Sequence, residues 1–188
     1  MERQIRTISS NFVTRDDNEE FVIEGYFSDF NGIYDMGNGM SESFAKGAFE
    51  GTLGDDIRAL INHDTTLVLG RTKAGTLQLR EDDRGLFGRI LINPKDQDAI
   101  NIYERVKRGD VSQCSIGFDV LEEDTEVRPN DTVHWTVKKV KLYEVSVCTF
   151  PAYESTEVTA RAKQAEDILK RNAQAWREKM LKKLKGEN

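Results

Sequence analysis

The sequence predicts a mainly β protein of the α+β class, with about seven strands, peripheral helices and a C-terminal amphipathic helix. Three observations support this prediction. Short segments rich in β-branched and aromatic residues recur between Phe21 and Phe150, with turn residues between them. One segment inside this region has helical periodicity, and a longer one follows it. Many short strands separated by turns favour a β-barrel or a sandwich.

The first elements follow from local composition. Phe21–Phe27 is a predicted strand because it is rich in β-branched and aromatic residues. Ser28–Met40 carries three Gly, two Asn and two Asp and is predicted to be a loop. Ser41–Phe49 is predicted to be a short helix, because Phe44 and Ala48 are spaced by one helical turn.

Four short extended segments follow. They are Ile57–Asn62, Leu67–Thr72, Gly75–Arg80 and Gly85–Ile92. The last two are separated only by the polar run Glu81–Arg84, so they predict a hairpin.

The clearest helix of the sequence comes next. Asn93 can cap its start, Pro94 suits the first helical position, and Gly109 can close its end. Its apolar residues recur at helical spacing: Ala99, Ile102, Tyr103 and Val106.

The second half of the chain predicts three strands and a helix. Val111–Leu121 is a strand, Glu122–Asp131 an acidic loop, and Thr132–Val140 and Lys141–Phe150 are two more strands. Val158 to about Leu184 forms a long amphipathic helix. Its apolar stripe consists of Leu169, Ala173, Trp176, Met180 and Leu184.

Composition limits the cellular setting. The 188 residues suffice for one core and a tail, and no apolar run approaches the ~20 residues of a membrane span. The N-terminal residues show no secretion signal, and Cys114 and Cys148 are expected to be reduced. We therefore expect an intracellular protein that has no membrane partner.

Charge divides the chain in two. Val158–Asn188 contains nine Lys or Arg residues against four Asp or Glu residues, a charge of +5, so the rest carries −11 of the total −6. We predict a domain over residues 1–155 and a basic helical extension over residues 156–188. The acidic body argues against a nucleic-acid partner.

Ser115 is the candidate nucleophile. It lies in the segment Arg108–Gly117, where alternation places it on one strand face with Gly117, and Ser112 on the other. Gly117 leaves room for a substrate backbone, so Ser115 is preferred over Ser112. A purely structural serine is the alternative.

His63 and Glu144 are the candidate partners of this serine. His63 ends an apolar strand and could act as a general base, although a histidine in a polar turn is equally consistent with the pattern. Glu144 is a carboxylate in an otherwise apolar segment; it could orient the imidazole, or it could be a rim charge paired with Lys or Arg.

Other chemistries have weaker support. Cys114 or Cys148 with His63 could form a cysteine hydrolase, but both cysteines lie in apolar strand patterns and are expected in the core. The two histidines are 71 positions apart and no acidic or cysteine cluster has ligand spacing, so we expect no metal and no cofactor.

Four motifs, taken in order, resemble a known family. They are Asn62-His63-Asp64, Leu69-Gly70-Arg71, Ser115-Ile116-Gly117-Phe118, and Glu144-Val145-Ser146-Val147 with Phe150-Pro151-Ala152. Together they resemble the prohead maturation proteases of tailed bacteriophages, over roughly Phe21–Tyr153.

The resemblance implies a closed β-barrel related to the herpesvirus assembly proteases, and a triad of Ser115, His63 and Glu144. Glu144 stands where the herpesvirus enzymes have a third triad histidine, and a carboxylate can orient His63 equally well. The Gly-Arg-Arg run that helps to build their oxyanion hole is replaced here by Thr149-Phe150-Pro151-Ala152. Backbone groups near Ser115 or at Gly70-Arg71 are alternative oxyanion donors.

The implied function is a serine endopeptidase that cleaves the major capsid protein and scaffold segments inside the assembling prohead, in the host-cell cytoplasm, and then digests itself. The alternative is a non-catalytic capsid-assembly or scaffolding module of the same fold. The basic helix is expected either to contact capsid protein and be cleaved, or to pack on its own domain or pair with a second copy of the chain. Self-association into a homo-oligomer stays open.

Overall fold

A computed structural model describes residues 4–10, 12–17, 20–150 and 155–184. This part of the chain contains eleven strands and two α-helices. The strands are β1 (Gln4–Ser9), β2 (Val13–Asp17), β3 (Glu20–Asp29), β4 (Tyr34–Gly37), β5 (Met40–Phe44), β6 (Arg58–Ile61), β7 (Asp64–Arg71), β8 (Leu77–Glu81), β9 (Gly85–Ile92), β10 (Gln113–Arg128) and β11 (Thr132–Cys148). The helices are α1 (Gln97–Arg108) and α2 (Ser155–Leu184).

The described strands form two open sheets, so the expected closed barrel of about seven strands is wrong. One sheet has seven strands, with β1, β10, β11, β5 and β4 in order and β6 and β7 joined to β11. The other has the order β2, β3, β9 and β8. The mainly β, α+β class is confirmed, and apolar side chains from both sheets and α1 share one core.

The centre of the larger sheet is a long antiparallel hairpin of β10 and β11. The expected acidic loop Glu122–Asp131 is wrong, because β10 continues to Arg128 and pairs with β11 up to Thr132. The two strands expected over Thr132–Phe150 are a single strand that is irregularly paired. Its first half pairs in parallel with β5 and its second half pairs in parallel with β6.

The two faces of this hairpin have different compositions. Because successive residues of a strand point to opposite faces, one face of β10 and β11 carries apolar residues and the other carries polar ones. The apolar face belongs to the main core and includes Cys114, Ile116, Phe118, Val145 and Val147. The opposite face, which we call the polar face, includes Ser115, Gly117, Asp119, Glu144, Ser146 and Cys148.

The helix expected over Ser41–Phe49 is wrong. Residues of β5 are alternately buried and partly buried, and the strand pairs with both β4 and β11. The sequence Met40-Ser41-Glu42-Ser43-Phe44 has the period of two that a half-buried strand requires. The spacing of Phe44 and Ala48 was therefore a misleading helical signal.

The expected hairpin and internal helix are confirmed with small shifts. Strands β8 and β9 pair antiparallel around a turn at residues 82–84. Helix α1 is capped by Asp96, whose carboxylate accepts hydrogen bonds from the N–H groups of Asp98 and Ala99, so the predicted cap at Asn93 lies three residues too early. Gly109 ends the helix at φ 87°, as predicted.

Helix α2 is confirmed over Ser155–Leu184, and only part of it packs on the sheets. Ala165 is buried, and Ile168 and Leu169 pack against a second apolar cluster with Trp135 at its centre. From Arg171 onward every described residue is exposed, so most of the predicted apolar stripe faces solvent. No helix in the described part of the chain is both long and apolar enough to span a membrane.

A buried ionic cluster ties α2 to the sheet. Glu42 of β5 accepts hydrogen bonds from Arg6 of β1 at 2.6 Å and from Arg161 of α2 at 3.0 Å. Arg161 also binds Glu123 at 2.7 Å and lies 4.7 Å from the centre of the Trp135 ring. Buried charges require such partners, because an isolated one would lose its hydration without compensation.

Candidate active site

His63 is held in a tight turn between β6 and β7. Asn62 and His63 have φ values of 50° and 62°, and Ile61 pairs with Asp64 across them. Positive φ at both central residues is the signature of a two-residue hairpin turn, and Asn tolerates it well. The Asn62 side chain accepts a hydrogen bond from the Thr149 N–H at 2.9 Å, which fastens the turn to the end of β11. A left-handed conformation is uncommon for histidine, so it indicates a constrained position.

The imidazole of His63 lies on the polar face beside Glu144. Its Nδ1 is 2.7 Å from Glu144 Oε1, and Ser146 Oγ donates to Glu144 Oε2 at 2.6 Å. Glu144 is 1% exposed, so these bonds replace the water that its carboxylate loses. Since a carboxylate can only accept, Nδ1 carries the hydrogen in this arrangement and Nε2 is the ring nitrogen that can accept a proton. The structure thus brings His63 and Glu144 together.

Ser115 lies one strand away from this pair. It is directly opposite Ser146 on the neighbouring antiparallel strand, which places the two Cβ atoms about 5 Å apart. Ser146 Oγ in turn is 3.4 Å from His63 Nδ1. The Ser115 hydroxyl is fully buried and donates to the backbone carbonyl of Arg6, at 2.9 Å. The structure therefore places Ser115 on the same face as His63 but gives its hydroxyl a different partner.

The other sequence candidates fall outside this arrangement. Ser112 precedes β10 and its side chain is exposed. Gly70 and Arg71 lie within β7 instead of in a turn, and the Arg71 N–H donates to Thr76 Oγ1 at 2.9 Å. Glycine at position 70 is explained by packing, because a Cβ there would lie 2.7 Å from the Thr76 carbonyl oxygen.

Cys148 is the side chain near the free nitrogen of His63. Its Sγ lies 3.9 Å from Nε2. Burial raises the pKa of the Cys148 thiol to about 12, and the negative charge of Glu144 adds to this effect. A cysteine nucleophile needs its thiolate form, so this environment disfavours the cysteine-hydrolase alternative. Burial likewise raises the pKa of Cys114.

The second histidine has a structural setting. His134 Nδ1 lies 2.8 Å from Ser41 Oγ and its Nε2 lies 2.9 Å from Ser43 Oγ, so both ring nitrogens have hydroxyl partners. Burial lowers the pKa of His134. Among the residues that the structure describes, no group of His, Cys, Asp and Glu has the arrangement of a metal site.

Two parts of the site were not assigned from the sequence. Ser146 supports both partners, since it binds Glu144 and also accepts a 3.3 Å hydrogen bond from the His63 N–H. Its position two residues after Glu144, and so on the same strand face, is the sequence feature that could have indicated this role. The Arg6 carbonyl could not be predicted from the sequence as the acceptor for Ser115, because a backbone acceptor depends on strand pairing and not on residue type.

Comparisons with known proteins are consistent with these motifs. The family model described as the caudovirus prohead serine protease matches residues 9–171. The prohead protease of Enterobacteria phage HK97 is 30% identical over 148 residues, which cover 77% of this chain. The chain spans 61% of the length of that relative.

A solved structure, that of the bacteriophage T4 capsid assembly protease, aligns with a TM-score of 0.49 at 11% identity, over 80% of this chain and 98% of that one. The extent of the family match, from β1 into α2, confirms the resemblance found in the motifs. This chain belongs to the caudovirus prohead serine protease family.

Proposed function

We propose that this protein is a serine endopeptidase of phage head assembly, with Ser115 as nucleophile, His63 as general base and Glu144 as the orienting carboxylate. The observation that carries the proposal is the 2.7 Å hydrogen bond between His63 Nδ1 and the buried Glu144, on the face that also bears Ser115. The family relationship makes peptide hydrolysis the chemistry to which this pair is best suited.

In the proposed reaction, Nε2 of His63 takes the Ser115 proton while Oγ attacks the scissile carbonyl carbon. Glu144 stabilises the imidazolium that forms. His63 then returns this proton to the leaving amine, and a water molecule activated by the same nitrogen hydrolyses the acyl-enzyme. No cofactor takes part.

This sequence of events requires the Ser115 hydroxyl to change its partner from the Arg6 carbonyl to His63 Nε2. The two partners lie on opposite sides of β10: Arg6 is on β1, which pairs directly with β10, whereas His63 is in the β6–β7 turn, beyond β11. A rotation about the Ser115 Cα–Cβ bond breaks the bond to Arg6, at a net cost of about 1 kcal/mol, and turns Oγ toward β11. Substrate binding beside β10 is the event expected to favour the exchange.

The proposed substrates are the major capsid protein and scaffold segments, cleaved inside the assembling prohead in the host cytoplasm. Within this proposal residues 1–155 are the protease and residues 156–188 a helical extension that contacts capsid or scaffold protein. The exposed half of α2 supports that role, since Trp176 is 60% exposed among basic residues. The variant Trp176→Ala should then cleave capsid protein more slowly, while the chemical reactivity of Ser115 is the same as in wild type.

The test is co-expression with the major capsid protein of the same phage, followed by mass spectrometry of both proteins. We expect wild type and Ser112→Ala to cut the capsid protein, and Ser115→Ala to leave it intact. Comparing the masses of wild type and Ser115→Ala also reports self-cleavage of the tail. If wild type binds capsid protein without cutting it, the protein is a non-catalytic assembly module and the proposed activity is wrong.

A further inference from the structure

A pocket of about 370 Å³ opens on the polar face next to Glu144. Its lining comes from four strands: Arg58, Leu60, Thr65, Val68, Asp119, Tyr143 and Glu144. Because Leu60 pairs with Ser146, and Arg58 with Glu144, the pocket lies on the same face as His63 and Ser115. We call it the Asp119 pocket.

The pocket has an apolar wall and an acidic wall. Leu60 and Val68 face each other across β6 and β7 and form the apolar part. Asp119 contributes a carboxylate whose Oδ2 accepts a hydrogen bond from the Tyr143 hydroxyl at 2.8 Å. Its Oδ1 is shielded from solvent and has no hydrogen-bond partner among the described residues. One strong acceptor in this pocket is therefore unsatisfied.

Two cations lie near the pocket, and neither is hydrogen-bonded to Asp119 Oδ1. Lys141, the cross-strand partner of Asp119, has its Nζ 5.3 Å from the centre of the Tyr143 ring. Arg58 is its one lining residue with positive charge, and Asp56 binds both guanidinium nitrogens of Arg58, at 2.7 Å through its carbonyl and at 3.2 Å through its carboxylate. Glu144 is already engaged by His63 and Ser146. The available carboxylate oxygen is that of Asp119, and an acidic side chain placed beside it would be repelled.

We propose that the Asp119 pocket is a specificity subsite that takes a lysine or arginine side chain of the substrate, from a residue roughly two to four positions from the scissile bond. This proposal rests on the proposed function. In this proposal the methylene groups of the substrate side chain lie along Leu60 and Val68, and its cationic end reaches Asp119. Lysine and arginine side chains commonly bury their methylene groups against apolar surface in this way. A small rotation of the Asp119 carboxylate, whose torsion has a broad energy well, presents Oδ1 to the cationic end while Oδ2 keeps Tyr143.

Position along the strands sets the distance between the subsite and the reacting serine. Asp119 follows Ser115 by four residues, or about 13 Å of strand. Gly117 lies between them on the same face and has no side chain to block the path. An extended substrate that places its scissile carbonyl at Ser115 covers about 3.3 Å per residue, so a long side chain two to four residues away can reach Asp119. A short side chain would not reach it.

The experiment uses a synthetic decapeptide library in which every residue type occurs at every position, digested by the full-length protein and analysed by mass spectrometry. A matched peptide pair with lysine or norleucine at the selected position then isolates the charged tip. We expect lysine or arginine to be enriched at one position roughly two to four residues from the cut. We also expect kcat/KM for the lysine peptide to exceed that for the norleucine peptide by about 10- to 100-fold, as for a charge-assisted hydrogen bond.

The variant Asp119→Asn should remove most of this preference while norleucine-peptide cleavage is retained, and Asp119→Leu should favour norleucine. Asp124→Asn changes an exposed acid of the same strand, paired with Lys138, and should leave the preference as in wild type. Equal loss for both peptides in Asp119→Asn would mean a structural role and overturn the proposal. Equal cleavage of both peptides by wild type would also overturn it, whereas absence of any Ser115-dependent cutting would contradict the proposed function itself.

Discussion

The base and the nucleophile of the candidate site differ in how completely their surroundings are assembled. His63, in the β6–β7 turn, and Glu144, on β11, are hydrogen-bonded at 2.7 Å. Ser146 of β11 donates a second hydrogen bond to Glu144. Ser115, one strand away, has its hydroxyl bonded to the Arg6 carbonyl of β1. The base is thus preorganised by its hydrogen bonds to β11, while the hydroxyl of the nucleophile is bound to the backbone of β1. Catalysis therefore requires the Ser115 hydroxyl to leave the Arg6 carbonyl and bind His63 instead.

This difference predicts that the largest effect, after loss of Ser115 or His63 themselves, follows from neutralising Glu144. In Glu144→Gln the imidazole can keep a hydrogen bond but loses the charge that stabilises its protonated form. By analogy with the buried aspartate of serine-protease triads, we expect kcat to fall about 10³- to 10⁴-fold. The measurement is steady-state cleavage of a peptide identified from the library.

The matched control for that variant is Glu126→Gln, which alters an exposed acid of β10 paired with Arg128 and should keep wild-type kinetics. Wild-type kcat in Glu144→Gln would remove Glu144 from the mechanism.

A smaller effect is expected for Ser146→Ala. This change removes one donor to Glu144 Oε2 and the acceptor of the His63 N–H, but leaves the His63–Glu144 bond in place. Loss of one to two ordinary hydrogen bonds predicts a fall in kcat of roughly 10-fold, with KM unchanged. Ser43→Ala, which removes a comparable bond to His134, should not alter kcat. A rise in KM instead of a fall in kcat would show that Ser146 acts on substrate binding.

The smallest effect is expected for Cys148→Ser. Although its sulfur is 3.9 Å from His63 Nε2, its pKa of about 12 leaves only about one thiol in 10⁴ ionised at pH 8. We therefore expect kcat within about twofold of wild type, and no inactivation of wild type by iodoacetamide between pH 6 and pH 8. Rapid inactivation that Cys148→Ser prevents would reverse the assignment and favour a cysteine enzyme.

The sequence was most informative where the signal was local. The Asn62-His63 turn, the β8–β9 hairpin and the end of α1 at Gly109 each depend on a few adjacent residues whose backbone preferences are strong. The convergence of His63 with Glu144 could be expected only through the family resemblance, because parallel pairing of β6 with β11 joins residues 81 positions apart.

The sequence was least informative about how the strands assemble into sheets and about which side chains become buried by tertiary contacts. Whether strands form a barrel or two open sheets depends on pairings between distant segments, which periodicity does not specify. Glu42 shows the same limit. Nothing in the sequence distinguished Glu42 from other acidic residues, yet it is fully buried between Arg6 and Arg161. Only tertiary structure supplies those two cations.

Activation of Ser115 by His63 is tested by labelling the full-length protein with a fluorophosphonate, which reacts with an activated serine hydroxyl, followed by peptide mapping. We expect a single adduct at Ser115 that is absent in His63→Ala and strongly reduced in Glu144→Gln. An adduct at Ser112 or Ser146, or equal labelling of Ser115 in His63→Ala, would contradict the assignment of nucleophile and base.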